Sequence, residues 1–391
     1  MADKKMVEQI TSMEEDFAQW YTDVVLKAEL IGYTSVKGCM AIKPAGYAIW
    51  ELIQKQLDER FKAAGVQNVY MPMFIPESLL EKEKDHVEGF APEVAWVTYG
   101  GLQKLQERLC VRPTSETLFC DFYKNDIQSY RDLPKVYNQW CNVVRWEKET
   151  RPFLRSREFL WQEGHTAHET HEDAQEETIR MLNVYYDFMV NVLAIPVVRG
   201  RKSESERFAG AEATYTLEAL MHDGKALQMG TSHNLSDHFA RSYDIKYLSR
   251  EGKQEYCYTT SWGTSTRMIG GMIMVHGDDR GLKLPPKVAP IQVVILPIAM
   301  HKEGVLEKAT ELYNEIKAAG LRVKLDDSEQ SAGWKFNQWE MKGVPVRIEI
   351  GPRDIENGVV TVVRRDTLEK FTMPIQGIGE NLVKLMADIH Q

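Results

Sequence analysis

The segment that most constrains the fold is a short proline-rich stretch near the end of the chain. Gly281–Pro290 reads G-L-K-L-P-P-K-V-A-P and holds three prolines. Proline has no backbone N–H and a fixed φ, so such a stretch lies neither inside a helix nor inside a central strand. We therefore predict a linker that separates two units, residues 1–284 and 285–391. A chain of 391 residues is long enough for at least two domains.

After the linker, short apolar runs alternate with segments of helical spacing. The spacing predicts strands at Ile291–Leu296, Leu321–Leu325, Val344–Ile350 and Gly358–Arg364, and helices at Lys302–Ala319, Ser331–Lys342 and Gly379–His390. Regular alternation of this kind over about 100 residues predicts a small α/β domain.

Before the linker the order of elements differs. We predict helices at Glu8–Leu26, Pro44–Ala64 and Thr170–Leu193, and strands at Asn68–Phe74, Tyr137–Trp146, Phe159–Ala167, Thr214–Met221 and Ala226–Gly230. Strands that follow strands, with the helices set apart, predict an α+β domain built on an antiparallel sheet.

Composition excludes several classes of protein. No run approaches the roughly 18 apolar residues of a membrane span, so we expect no membrane partner. The five cysteines show no C-x-x-C spacing, and no basic, apolar leader opens the chain, which favours a reducing cytoplasm. A net charge of −9 disfavours a general nucleic-acid coat, although a local patch could still bind a specific RNA.

The sequence lacks both common phosphate-binding loops, G-x-x-x-x-G-K-[ST] and G-x-G-x-x-G. A nucleotide would therefore have to be held by side chains, and arginine meets phosphate oxygens with two parallel donors. The segment 142–165 fits that requirement as a hairpin with a charged loop between two strands. Alternation places one set of side chains on a shared face: Arg145 and Glu147, then Phe159, Trp161, Glu163 and His165. A surface hairpin with exposed salt bridges remains the alternative at this point.

Three further motifs surround this hairpin. They are R-P-T-S-E at Arg112–Glu116, Q-M-G-T-S-H at Gln228–His233, and T-S-W-G-T-S-T-R ending at Arg267. With these motifs the chain resembles the class II aminoacyl-tRNA synthetases, and specifically prolyl-tRNA synthetases of the archaeal/eukaryotic-like type. The resemblance places motif 1 at about 44–74, motif 2 at about 137–167 and motif 3 at about 259–277. It implies a catalytic domain at 1–284 and an anticodon-binding domain at 285–391.

The resemblance implies a role in ATP binding for one set of residues. Arg145 and Arg267 would be the catalytic pair, meeting the α- and γ-phosphates. The remaining ATP contacts would be Glu147, Arg155, Ser156, Phe159, Gln228, Thr231 and Ser265. Gln228 would also act indirectly on Mg²⁺, the expected cofactor beside ATP.

A second set would form the proline pocket: Thr114, Glu116, Arg145, Trp161, Glu163, His165, His233 and Trp262. A carboxylate suits the secondary ammonium of proline, and indole rings suit its apolar ring. The implied reaction is activation of L-proline to prolyl-adenylate and its transfer to the 3′ end of tRNA(Pro), by a homodimer. For Trp161 and Trp262, a position in the ordinary core is the alternative.

This sequence differs from typical members of the family in two ways, and each difference leads to a further expectation. Only about 100 residues separate His165 from Arg267, so we expect no editing insertion there. The chain stops where relatives continue into a zinc-type domain, so we expect no such domain and no zinc. A catalytically impaired paralogue that binds tRNA or regulates is therefore one alternative, and another is a synthetase specific for threonine or serine. We expect His168 and His171 to be solvated.

The second unit is expected to bind the tRNA anticodon through Glu340 and Arg347. They lie in a run of cations and rings of the kind that binds unstacked bases: Lys335, Phe336, Trp339, Lys342, Arg347, Arg353, Arg364 and Arg365. A solvated helix and hairpin is the alternative.

Overall fold

The computed structural model describes residues 10–90 and 93–391. Its helices are α1 Phe17–Lys27, α2 Pro44–Ala63, α3 Glu77–Leu80, α4 Lys84–Phe90, α5 Glu116–Asp126, α6 His171–Asn191, α7 His238–Tyr243, α8 Arg267–His276, α9 Val305–Ala318, α10 Ala332–Met341, α11 Pro352–Glu356 and α12 Ile378–His390. Short 3-10 turns lie at Tyr130–Asp132 and Pro286–Val288. In the part of the chain described, no helix is long and apolar enough to cross a membrane.

The strands of the first part of the chain form one large sheet and several small ones. They are β1 Ile31–Tyr33, β2 Met40–Ile42, β3 Gln67–Asn68, β4 Phe74–Pro76, β5 Ala95–Gly100, β6 Gln103–Val111, β7 Lys135–Val144, β8 Glu158–His168, β9 Val198–Arg201, β10 Ala213–Leu220, β11 Ala226–Ser236, β12 Lys246–Leu248, β13 Gln254–Tyr256 and β14 Tyr258–Ser265. The large sheet has the order β3-β7-β8-β14-β11-β10-β9 and is antiparallel except at β3–β7. This confirms the predicted α+β architecture.

The first helix begins later than predicted. The Asp16 carboxylate accepts a hydrogen bond from the Gln19 N–H and caps α1, which therefore starts at Phe17. Glu8, the start of the predicted helix, lies outside the described residues.

The predicted strand Asn68–Phe74 is wrong as a single strand. Gln67–Asn68 pairs with β7, Phe74–Pro76 pairs with β6, and the residues between belong to neither sheet. Pro72 in that segment has no N–H to offer a sheet ladder. The Met71 N–H instead donates to the side-chain oxygen of Gln139, at 2.9 Å. Strands β5 and β6 and helix α5 were not predicted.

The large sheet has two unlike faces. Helices α2 and α6 cover one face over a core that includes Phe61, Tyr185 and Trp262. The other face holds polar side chains of β8, β11 and β14 around a cavity. A second apolar cluster, which includes Phe119, Tyr123 and Phe239, packs beside that cavity.

The second part of the chain forms a five-stranded sheet. Its strands are β15 Val293–Pro297, β16 Val323–Leu325, β17 Val346–Ile350, β18 Val359–Arg364 and β19 Lys370–Pro374. The order is β16-β15-β17-β18-β19, with β15 parallel to both neighbours and the β17–β18–β19 ladder antiparallel. This confirms a small α/β unit, although β19 and α11 were not predicted.

The proline-rich segment is packed against both parts. Leu282, Val288 and Ala289 are buried in the core of the first part. The Arg365 guanidinium reaches back to the Asp278 carboxylate with contacts of 2.5 and 2.8 Å. The apolar side chains of this linker are therefore fixed, because they fill the junction between the two parts of the chain.

Candidate active site

A cavity of about 260 Å³ opens on the polar face of the large sheet. Thirteen residues selected from the sequence line it: Thr114, Glu116, Arg145, Phe159, Trp161, Glu163, His165, Gln228, Thr231, His233, Trp262, Ser265 and Arg267. A smaller adjoining cavity shares Arg145, Phe159, Ser265 and Arg267 with it and adds Glu147, Arg155 and Ser156. The fold therefore brings the two predicted sets together, from four separate segments of the chain.

Arg145 and Glu147 do not lie on a strand as predicted. Strand β7 ends at Val144, and the Glu147 N–H donates to the Arg145 carbonyl at 2.7 Å. The charged loop between β7 and β8 therefore begins with a tight turn at residues 145–147. Strand alternation thus holds for Phe159, Trp161, Glu163 and His165 but not for Arg145 and Glu147.

Glu163 is the most heavily hydrogen-bonded side chain of the cavity floor. Its carboxylate accepts from the Ser115 N–H at 2.9 Å, the Ser115 hydroxyl at 2.8 Å and the Gln139 amide at 3.0 Å, and lies 2.7 Å from Nε2 of His165. Burial raises the pKa of Glu163, but the bonds and charge of His165 and the Ser115 hydroxyl outweigh it, and the pKa lies below its ordinary value. Glu163 is therefore an ionised, fixed group whose acceptors are used by the protein.

Glu116 lies at the first turn of α5 and is 4% exposed. The Thr114 hydroxyl donates to one carboxylate oxygen at 2.5 Å. Unlike Glu163, this carboxylate accepts from one side chain of the described residues, that of Thr114, which leaves acceptor capacity for a cationic ligand.

Aromatic rings hold two histidines at the cavity wall. The His165 ring stacks on Phe119 with 4.3 Å between centroids, and the His233 ring stacks on Phe208 at 4.4 Å. Burial lowers the pKa of His233 to about 4, and the charges of His165 and Arg145 act in the same direction. His233 is thus neutral at physiological pH.

The Arg145 side chain is held by one hydrogen bond and by contacts with three aromatic rings. Its Nε donates to the Pro113 carbonyl at 2.9 Å, and its guanidinium carbon lies 5.2 to 5.6 Å from the rings of Phe90, Phe159 and Trp161. Burial lowers the pKa of Arg145, while the carboxylates of Glu116 and others oppose that shift. An arginine remains charged under these conditions, so the site presents a positioned cation.

Arg267 faces Arg145 from the first residue of α8. Its Nε donates to the Leu154 carbonyl at 3.0 Å. Burial lowers the pKa of Arg267, and so do the positive charges of Arg155 and Arg145. The guanidinium groups of Arg145, Arg155 and Arg267 converge here, and the charge of Glu147 opposes them at Arg267. Such a concentration of positive charge suits a polyanion.

Two family models match the chain. The tRNA synthetase class II core domain (G, H, P, S and T) matches residues 96–276, and the anticodon binding domain matches residues 292–385. A proline–tRNA ligase of Lachnospira eligens is 68% identical over 389 residues, covering 100% of this chain and 81% of its own length. The chain belongs to the proline–tRNA ligase family of class II synthetases.

Two further members of the family match this chain with similar identity and coverage. A proline–tRNA ligase of Ruminiclostridium cellulolyticum is 67% identical, covering 100% of this chain and 81% of its own length. Proline–tRNA ligase 2 of Bacillus cereus is 65% identical, with 99% of this chain and 81% of the relative covered. The expectations about subtype, editing insertion and zinc-type domain stay predictions.

Trp262 borders the cavity, but its ring lies in the core, which was the alternative for this residue. Its ring is 1% exposed and packs on the opposite face of the sheet, 5.2 Å from Phe61 and 6.4 Å from Tyr185. Along β14 successive side chains alternate, so Ser261 and Gly263 face the cavity while Trp262 faces the core. Of the two tryptophans, only Trp161 offers its ring to the cavity side, as the cation contact with Arg145 shows.

The expectation for His168 was also wrong. His168 is 2% exposed, and its ring nitrogens contact the Thr166 hydroxyl at 2.7 Å and the Asp173 carboxylate at 2.6 Å. It is a buried histidine at the end of β8 with both ring nitrogens hydrogen-bonded. Within the described ranges, no three His, Cys, Asp or Glu side chains are grouped to hold a metal ion.

Several residues of the cavity wall were not selected from the sequence: Phe90, Lys202, Glu206, Phe208, Thr214 and Ser261. Alternation from Ser265 along β14 could have found Ser261, whose buried hydroxyl has no partner among the described side chains. Lys202, Glu206 and Phe208 lie in a loop with no periodic signal.

The predicted anticodon surface is partly internal. Glu340 and Arg347 form an ion pair at 3.2 Å, and their side chains are 12% and 13% exposed. Lys335 is buried and donates to the Asp326 carbonyl, and Arg365 is buried against Asp278, so neither belongs to an exposed basic patch. The exposed part of the predicted cluster is therefore smaller than its sequence suggests.

Proposed function

We propose that this chain activates L-proline with ATP to prolyl-adenylate and transfers the prolyl group to the 3′ end of tRNA(Pro). The single observation that carries the proposal is the convergence of Arg145, Arg155 and Arg267 beside the Glu116 carboxylate. A cationic region next to an anionic one fits a nucleoside triphosphate beside the ammonium group of an amino acid.

In this proposal the arginines align and neutralise the reactants. Arg145 contacts the α-phosphate and the proline carboxylate, which attacks the α-phosphorus and displaces pyrophosphate. Arg267 holds the γ-phosphate from the opposite end. Positioned cations in a site shielded from water stabilise the developing charge, and no protein nucleophile is needed.

The remaining contacts to ATP are assigned to other residues that border the two cavities. Phe159 stacks on adenine, Glu147 accepts from its amino group, and Arg155 and Ser156 contact ATP from the loop between β7 and β8. On the other side of the cavity, Gln228, Thr231 and Ser265 contact the nucleotide. All of these side chains border the two adjoining cavities, which supports the assignment.

Magnesium is implied by the family as a partner of ATP. The amide oxygen of Gln228 and the hydroxyl of Thr231 are oxygen donors at the cavity wall, which fits an ion that takes most of its ligands from phosphates and water. When bound, Mg²⁺ supplies charge neutralisation to the phosphates. We assign Gln228 an indirect contact through that shell.

Proline recognition is assigned to the deeper part of the cavity. Glu116, with Thr114 beside it, pairs with the secondary ammonium, and Trp161, His165 and His233 enclose the ring. A neutral His233 adds no repulsion to that ammonium. Glu163 acts by holding Ser115 and His165 in place, since its oxygens already accept from the protein.

Proline-dependent ATP–pyrophosphate exchange tests this function. Exchange with proline and not with threonine or serine is the expected result. Exchange with another amino acid would contradict the proposed specificity for proline. No exchange would favour the catalytically impaired paralogue. The presence of Arg145, Arg155 and Arg267 in the site argues against that alternative.

For the tRNA we propose that Glu340 and Arg347 contact the anticodon. The guanidinium carbon of Arg347 lies 4.2 Å from the Phe336 ring centroid, beside the Glu340 carboxylate. An arginine stacked on a ring is a platform used for unpaired bases. Arg347→Ala should weaken transfer to tRNA while leaving pyrophosphate exchange unchanged, and Lys384→Ala on the exposed face of α12 is the matched control.

We also propose that the protein acts as a homodimer in the cytoplasm. The segment of motif 1 exposes large side chains: Tyr47, Tyr70 and Phe74. Exposed aromatic side chains of this kind are often buried where two subunits associate.

A further inference from the structure

A chain of hydrogen bonds runs through the large sheet on the face opposite the cavity. The Thr264 N–H donates to Oε1 of Gln162 at 3.0 Å, and Nε2 of Gln162 donates to Oδ1 of Asn138 at 2.8 Å. Nδ2 of Asn138 then donates to Oδ1 of Asn68 at 3.0 Å, and Nδ2 of Asn68 donates to Asp58 at 2.8 Å. We call these five residues the amide chain. It connects β14, β8, β7, β3 and α2.

The two ends of the amide chain fix the orientation of every amide within it. The backbone N–H of Thr264 can only donate. At the other end, burial raises the pKa of Asp58, but bonds from Lys62, Asn68 and Trp140 outweigh it, and the pKa lies below its ordinary value. An ionised carboxylate can only accept. Each of the three amides between therefore has one allowed orientation, and the bonds reinforce one another.

The Thr264 end of the amide chain lies next to residues assigned to the nucleotide. Gln162 stands between Trp161 and Glu163 on β8, and both of those side chains point to the cavity. Thr264 directly precedes Ser265, and Arg267 follows at the start of α8. Asn138 and Gln162 are fully buried, so water cannot replace a lost partner.

Gln162 is the junction of the amide chain. Its Oε1 accepts from the Tyr185 hydroxyl of α6 as well as from Thr264. Gln162 therefore ties the end of β14 both to the neighbouring strand and to the helix behind the sheet. On the opposite face, Glu163 holds the proline side through Ser115 and His165, independently of these bonds.

We propose that Gln162, held by Asn138, is a positioning residue for ATP. It sets the end of β14 against β8 so that Ser265 and Arg267 face Arg145. This inference rests on the proposed function, and it gives two neighbouring side chains of β8 different roles: Gln162 positions groups that contact ATP, and Glu163 positions groups that contact proline. Loss of Gln162 should therefore impair ATP use more than proline use.

A pair of substitutions tests the proposal by pyrophosphate exchange. Gln162→Met keeps the length of the side chain and removes all three hydrogen bonds, those with Thr264, Tyr185 and Asn138. We expect KM for ATP to rise about tenfold, the equivalent of one lost buried hydrogen bond, while KM for proline stays within about twofold. In Gln162→Glu, burial keeps the new carboxyl protonated, so that its carbonyl oxygen accepts from Thr264 and Tyr185 and its hydroxyl donates to Asn138, as the amide does. This variant should bring KM for ATP back to within about threefold of wild type.

If Gln162 only stabilised the fold, its substitution would change kcat and KM in a different way. Loss of folded protein lowers the number of active sites, hence apparent kcat, and leaves both KM values unchanged. Gln292→Met is the matched control, because that buried amide also accepts a backbone N–H, from Arg322, and donates to a carbonyl, of Pro286. It should lower the melting temperature without changing KM for ATP.

Three results would overturn the proposal: an unchanged KM for ATP in Gln162→Met, equal rises in KM for both substrates, or a Gln162→Glu variant no better than Gln162→Met. Binding of Mg·ATP by titration calorimetry makes the proposal testable apart from the amino acid. If wild type binds ATP but shows no exchange with proline, the proposed function fails, and the ATP affinities of wild type and Gln162→Met still decide the role of Gln162. No ATP binding by wild type would overturn both.

Discussion

Gly164 on β8 lies directly opposite Trp262 on β14, and the indole ring occupies the space where a Gly164 side chain would be. A Cβ built on Gly164 would stand 2.3 Å from three carbons of that ring. Glycine is required here because of a close approach, not because of its backbone angles. Trp262 thereby fills the space behind the cavity floor and reaches Phe61 of α2.

Gly164→Ala is expected to lower the free energy of unfolding by about 3 kcal/mol, the upper range for overpacking a filled core. Urea unfolding measures it. Gly200→Ala on the edge strand β9 is the control, because no heavy atom lies within 4 Å of its added Cβ, and its stability should stay near that of wild type. Equal effects of the two substitutions would contradict the packing argument.

Arg145→Ala and Arg267→Ala should each lower adenylate formation by about 10²-fold or more, the usual cost of removing one positioned donor to a developing charge. Pyrophosphate exchange measures the rate, and circular dichroism checks the fold. Arg241→Ala removes an exposed arginine paired with Asp237 on α7 and should leave exchange unchanged. Near-normal exchange in either active-site variant would remove that residue from the mechanism.

His233 should make stability depend on pH. Its pKa is about 4 in the folded protein against an ordinary 6.5, so the unfolded chain takes up a proton that the folded protein does not. Stability is therefore lost as pH falls from about 6.5 to about 4, by up to roughly 3 kcal/mol.

The test compares wild type with His233→Gln in urea at several pH values between 7 and 4. The advantage in unfolding free energy that wild type holds at pH 7 should shrink as the pH falls. The control is His301→Gln, which replaces an exposed histidine outside the cavity. A constant difference for His233→Gln would show that His233 does not titrate as described.

Light scattering at micromolar concentration should give the mass of two subunits. Tyr70 is 68% exposed and Phe74 is 44% exposed, and a charge at either position would oppose burial at a two-fold interface. Tyr70→Glu and Phe74→Glu should therefore shift the protein towards monomer. Leu220→Glu, at a side chain that is 74% exposed on β10, should not. An active wild-type monomer would disprove the proposed assembly.

Much of the architecture was predictable because it follows from local pattern. Apolar periodicity predicted helices α2 and α6 to within about two residues, and the period of two along β8 predicted that Trp161, Glu163 and His165 share a face. Strands β5 and β6 escaped prediction since their side chains are largely exposed and carry no clear alternation. The segment around Pro72 divided because its backbone N–H groups found partners in two different sheets.

The sequence by itself determined which side chains are available: three arginines near a hairpin, a carboxylate at Glu116, and motifs that resemble a synthetase. It could not decide which acceptors are already used. Glu163 and Glu116 look equivalent in the sequence, yet only Glu163 is saturated by protein donors. Trp262 and Trp161 likewise differ only in which face of the sheet they occupy. Hydrogen-bond satisfaction and burial depend on groups far apart in the chain, so the tertiary structure alone decides them.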